Sequence, residues 1–122
     1  MPVLTEGKYI SDVLHWEEEQ RYSREVVVLA TKQHIEIGTV LSKHSQTGKY
    51  HAFNPEGKDG LEVPIAISIT FATTQQFDAE ILVIKREAVL KKSGVVWPEK
   101  ITDKQTQSAT EYLDGLGLLI RE

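Results

Sequence analysis

Apolar residues recur at every second position from Leu61 through Val63, Ile65, Ile67 and Ile69 to Phe71. That period predicts a half-buried strand. Pro64 lies on the opposite, outward set and cannot donate to a ladder, so it predicts a sheet edge or a break there. Two shorter runs, residues 25–31 (EVVVLAT) and 80–86 (EILVIKR), are β-branched and nearly continuous, and predict strands buried on both faces. Residues 35–42 predict a further strand with a bend or bulge at Gly38. Gly48 can supply the positive φ of a short hairpin loop, which would bring His44 and Tyr50 together across two strands. Residues 54–60 (NPEGKDG) read as a loop, residues 73–78 as a polar turn, and residues 87–90 as a continuation or a separate pairing.

One helix is signalled near residue 102. Thr102 is a good N-cap, Gln105 three residues on completes a capping box, and Asp103 suits the positive end of the helix dipole. Ala109, Tyr112, Leu113 and Leu116 form its apolar stripe, Gly115 is placed to end it, and residues 117–121 predict a last short strand. Ile10, Val13 and Leu14 have helical spacing but little further apolar face. A docked helix and a loosely held arm both remain open for the first residues.

With 122 residues there is room for one core. We divide the chain into an N-terminal arm, residues 1–22, and a single β-rich domain, residues 23–122. The 40% hydrophobic and 26% charged fractions are those of a globular chain and argue against a disordered one. A net charge of −4 without a basic cluster larger than Lys91-Lys92 disfavours direct nucleic-acid binding. There is no cysteine, which excludes thiol catalysis, disulfides and thiolate-bound metals. Residues 1–6 lack the pattern of a secretory signal, and residues 63–69, the longest nearly apolar run, are too few to span a bilayer. Synthesis in a cytoplasm and no membrane partner are therefore expected.

Candidate chemistry is sparse. His44 and His51, diagonal across the hairpin, are the best metal candidates, but two exposed histidines are usually solvated side chains. His34 and Glu36 share a strand face and read as a polar strand end. Glu17-Glu18-Glu19 reads as a solvated charge run, and Gly115-Leu116-Gly117 as a helix exit. Ser23, Ser42 and Ser45 stand in no nucleophile motif, and no phosphate or dinucleotide fingerprint occurs. No enzyme activity and no cofactor are expected. Trp97, held extended by Pro98, reads as a core residue more readily than as an interface anchor. Trp16, beside the acidic run, reads as a partner contact.

Several segments, taken in order, resemble the phage-lambda-type head decoration protein family. They are Glu6-Gly7-Lys8-Tyr9, Ser23-Arg24-Glu25-Val26-Val27-Val28, Ile37-Gly38-Thr39-Val40-Leu41 and Gly48-Lys49-Tyr50. The Asn54-Pro55 to Asp59-Gly60 loop, Ala66-Ile67 and Val83-Ile84-Lys85-Arg86-Glu87-Ala88-Val89 follow. Val96-Trp97-Pro98 with Ile101-Thr102, and Leu116-Gly117-Leu118-Leu119, complete the series. The chain departs from the family at Ser11-Asp12-Val13, where Gly-Glu-Phe is frequent, and at Lys91-Lys92-Ser93-Gly94, where Ala and Leu are common.

The resemblance implies a mostly β, β-clip-like compact domain with one C-terminal α-helix and a flexible N-terminal arm. It implies a homotrimer on the outer surface of the expanded capsid of a virion, at three-fold positions, stabilising the shell without catalysis. The partner it implies is the major capsid protein, whose strands the arm would join by β-augmentation. On that reading the candidate capsid-binding residues are Glu6, Gly7, Tyr9, Val13 and Trp16. Another phage structural role (tail or head completion) and a generic small ligand-binding β domain with a pocket near Trp97 are the alternatives.

Overall fold

The computed structural model describes residues 9–122. The chain is mostly β, in three sheets, with one long helix towards its C-terminal end. After a 3-10 turn at Ile10–Asp12 come β1 (Leu14–Glu17), the single-turn α1 (Gln20–Ser23), β2 (Arg24–Leu29) and β3 (His34–Ile35). Then follow β4 (Val40–Lys43), β5 (Tyr50–Ala52), β6 (Ala66–Ser68), β7 (Ala72–Thr73), β8 (Ala79–Ile84) and β9 (Ala88–Lys91). A 3-10 turn at Lys92–Gly94, α2 (Asp103–Gly115) and β10 (Leu118–Arg121) complete the order.

Five strands close a small barrel in the order β2-β5-β4-β6-β8. Its longest seam is the antiparallel pairing of β2 with β8, from Arg24 opposite Ile84 to Leu29 opposite Ala79. Val27, Leu29, Leu41, Tyr50, Ile81 and Val83 belong to one buried cluster. A second cluster unites the sheet β1-β9-β10 with α2; Val13, Leu90, Leu113 and Leu118 are fully buried in it. β1 and β10 are the two edge strands of that sheet, β1 antiparallel and β10 parallel to β9.

Three segments cross closely at Val13, just ahead of β1. A Cβ on Gly38 would lie 2.1 Å from the Gly94 carbonyl oxygen, and one on Gly94 would lie 2.3 Å from that of Asp12. Only glycine permits this approach, and Gly38, at φ 103°, lies in a turn that divides residues 35–42, expected as one bent strand, into β3 and β4 of different sheets.

The helix starts as its residues predict, but only half of its expected apolar stripe is covered, because Tyr112 and Leu116 are exposed. The Thr102 side chain accepts from the Gln105 N–H at 3.1 Å, and the Gln105 side chain accepts from the Thr102 N–H at 3.0 Å. Ala109 and Leu113 are buried. Gly115 is the last helical residue, while the left-handed conformation falls two residues later, at Gly117 with φ 88°.

Several expectations are corrected. The alternation over residues 61–71 yields only the three-residue β6. The Leu61 and Val63 N–H groups bond back to the carbonyls of Lys58 and Gly60, so the chain is still turning there. Pro64, expected outside, is buried. Residues 25–31 are not buried on both faces: Val27 and Leu29 point inward, but Val26 and Val28 are exposed. Ile10, Val13 and Leu14, whose spacing is helical, form a 3-10 turn running into a strand, and from Ile10 onward the segment assigned to the arm packs on the domain.

Candidate interaction surfaces

Of the proposed capsid-binding residues, Glu6 and Gly7 lie outside the described residues. Tyr9 precedes the first 3-10 turn and is 71% exposed, and Trp16, on the outer strand β1, is 51% exposed. Val13 is wholly buried: it packs into the second cluster, its carbonyl accepts the Lys91 N–H, and it cannot meet a partner from there. The structure therefore sets Tyr9 and Trp16 at the surface and turns Val13 inward as an anchor for both.

That anchoring is reinforced by a polar cluster which the sequence did not reveal. Glu17, expected to be solvated, turns inward with a side chain only 10% exposed. It accepts from the Ser23 hydroxyl at 2.5 Å and, in a two-pronged contact, from Arg24 Nε and Nη2 at 3.0 and 2.7 Å. Burial alone would raise the Glu17 pKa; the hydrogen bonds from Arg24 and Ser23, with the Arg24 charge, outweigh it and hold the carboxyl below its ordinary value. The only hint in the sequence was Ser23-Arg24 six and seven residues downstream, and it needed the turn of α1 to become a contact.

The barrel carries an apolar outer face. Val26 is 60% and Val28 38% exposed, side by side on β2, and Val26 sits opposite the half-buried Leu82 of β8. Thr70, whose hydroxyl bonds to the Leu82 backbone, leads into Phe71, which is also exposed. A charged rim lies at the Arg24–Ile84 end of the seam: Glu25 pairs with Lys85 at 3.6 Å and Arg86 at 3.3 Å, and the Arg86 guanidinium lies over the Tyr22 ring. An apolar centre with a charged border is the composition of a protein–protein interface.

Trp97 is half-buried and packs against the second cluster from its margin, with its ring edge-on to Phe53 at 6.4 Å. A groove of about 380 Å³ between α2 and the 53–64 connection is floored by Phe53, Pro64 and Ala109. The His44 and His51 rings do approach across the hairpin, with centroids 5.9 Å apart. Among the described residues no group of three or more His, Asp or Glu is placed to hold a metal ion. The Ser42 hydroxyl is buried without a hydrogen-bond partner, so no base activates it. Among the described residues no helix is long and apolar enough to cross a membrane.

A family model described as bacteriophage lambda head decoration protein D matches residues 3–118. No curated protein matches the chain.

Proposed function

The chain belongs to the family of bacteriophage lambda head decoration protein D, a structural capsid family and not an enzyme class, and from that membership we propose that it trimerises on the outside of the expanded shell, at three-fold positions, and stabilises it. The observation that carries the assembly is the outer face of β2. Val26 and Val28 are open to water on a barrel that is otherwise closed, and apolar surface of this kind is buried when copies associate. Each valine side chain taken fully out of water contributes up to about 1.5–3 kcal/mol, and three copies repeat the contact.

Attachment to the major capsid protein is assigned to the N-terminal segment. Glu6 and Gly7 precede the described chain, Tyr9 and Trp16 stand exposed, and among the described residues no strand pairs with the outer edge of β1, which suits an added strand. The Glu17–Arg24 cluster and buried Val13 hold that edge in place. The β-clip arrangement belongs to the same proposal.

Stabilisation follows if the sites exist only after expansion, because a ligand shifts an equilibrium by its differential affinity for the two states. Free protein at a hundred times its dissociation constant then adds about 2.7 kcal/mol per site, repeated over the shell. The test is co-sedimentation with expanded and unexpanded shells, with light scattering on the free protein. Binding confined to expanded shells, by a species of three times 13.8 kDa, supports the proposal. Equal binding to both shells contradicts it.

A further inference from the structure

One end of the barrel is drawn together by three connections: residues 30–33 after β2, the hairpin at 44–49, and residues 74–78 before β8. Gln33 ties them. Its Oε1 accepts the Ala52 N–H at 2.9 Å, which orients the amide so that Nε2 donates to His51 Nδ1 at 3.3 Å. The Gln33 N–H donates to Thr74 Oγ1, and its carbonyl accepts the Thr74 N–H. Lys49 pairs with Asp78 at 2.7 Å. His44 Nδ1 in turn accepts the N–H groups of Gln46 and Thr47 at 3.2 and 3.3 Å.

Both Nδ1 atoms are thus acceptors, so each neutral ring carries its hydrogen on Nε2. Neither ring then has a lone pair left for a cation, and the 5.9 Å approach of the two rings is not a metal site.

We propose that this cluster is an acid-sensitive latch, in which protonating His51 turns Nδ1 from acceptor to donor against the Gln33 amide and frees the Gln33 segment from β5. The 74–78 connection is bonded to that segment through Thr74 and carries Phe77, which is 79% exposed. The latch therefore holds an exposed aromatic in position. The charged and titratable groups acting on His51 are His44 and Lys49 from the hairpin and Asp78 from the 74–78 connection; Gln33, from the third, is neutral. Burial first and the charge on His44 next oppose protonation; Asp78 pulls the other way and exceeds the opposing push of Lys49, and the balance leaves the His51 pKa lowered from 6.5. With the folded value depressed, the latch's contribution is complete above the ordinary histidine pKa and is lost as pH falls through the lowered one.

The test is amide hydrogen exchange of the full chain between pH 7.5 and 5, corrected for the intrinsic pH dependence of exchange. Protection at Ala52 and Thr74 is expected to fall about tenfold, the factor that corresponds to losing one or two hydrogen bonds, while Val27 in the β2–β8 seam holds. H51Q should flatten that dependence, and H15Q, at an exposed histidine on β1, should leave it unchanged. Unchanged protection at Ala52 and Thr74 at a pH where ring nitrogen shifts show His51 protonated, or the same loss in H51Q, overturns the latch. Ring nitrogen shifts of the native protein give a reading independent of any variant. Hydrogen on His51 Nε2 at pH 7.5 is expected, and hydrogen on Nδ1 would also overturn it.

Discussion

Along β2, Val27 and Leu29 point into the barrel and are buried, whereas Val26 and Val28, on the same strand between the same neighbours, face water. The four side chains are chemically alike. What separates them is the closure of the barrel, which covers one face with the chain's own residues and leaves the other for something else. The inner face accounts for the stability of the single chain, and the outer face is the one to which the proposed association is assigned.

Mutations at the two faces should separate these roles. Leu29→Ala removes a fully buried side chain from the closed barrel and is expected to cost about 2–5 kcal/mol, read by denaturant unfolding. Glu17→Ala is expected to cost about 2–3 kcal/mol, less than the loss of one partner from a fully buried ion pair because Arg24 keeps some contact with water. The Glu17 contribution also depends on pH. With its folded pKa below the ordinary 4.5, it is present above that value and lost as pH falls through the lowered one, so Glu17→Gln should flatten the acid limb of a stability–pH profile.

Val26→Asp combined with Val28→Asp should leave the stability of the dissociated chain within about 0.5 kcal/mol per site while abolishing the trimer in light scattering. A variant that stays trimeric would move the interface elsewhere. Smallest of all for the free protein is Trp16→Ala, with a stability change within about 0.5 kcal/mol but weaker co-sedimentation with expanded shells. Normal shell binding would remove Trp16 from the contact.

The same contrast explains what could be read from the sequence. The strands at Arg24–Leu29 and Ala79–Ile84 were legible because β-branched runs have few alternatives, and α2 because Thr102 and Gln105 cap it reciprocally. A run such as EVVVL, however, shows only that water should be excluded from both faces, not whether the chain or another copy excludes it. Residues 61–65 alternate like a strand, yet local turn bonds to Lys58 and Gly60 use their N–H groups, and periodicity carries no record of that competition. Glu17 looked solvated beside Glu18 and Glu19 because its partners approach only through the fold. Val13 looked like part of an arm because the glycine crossing that buries it joins residues far apart in sequence.

The central claim, that this chain stabilises an expanded capsid, is tested most directly by heating expanded, DNA-filled shells with and without added protein and recording the temperature of DNA release. Occupancy is confirmed by imaging, and the Val26→Asp, Val28→Asp variant serves as a control. A higher release temperature with the native chain, and none with the variant, is the predicted result. Equal release temperatures at full occupancy would contradict the account.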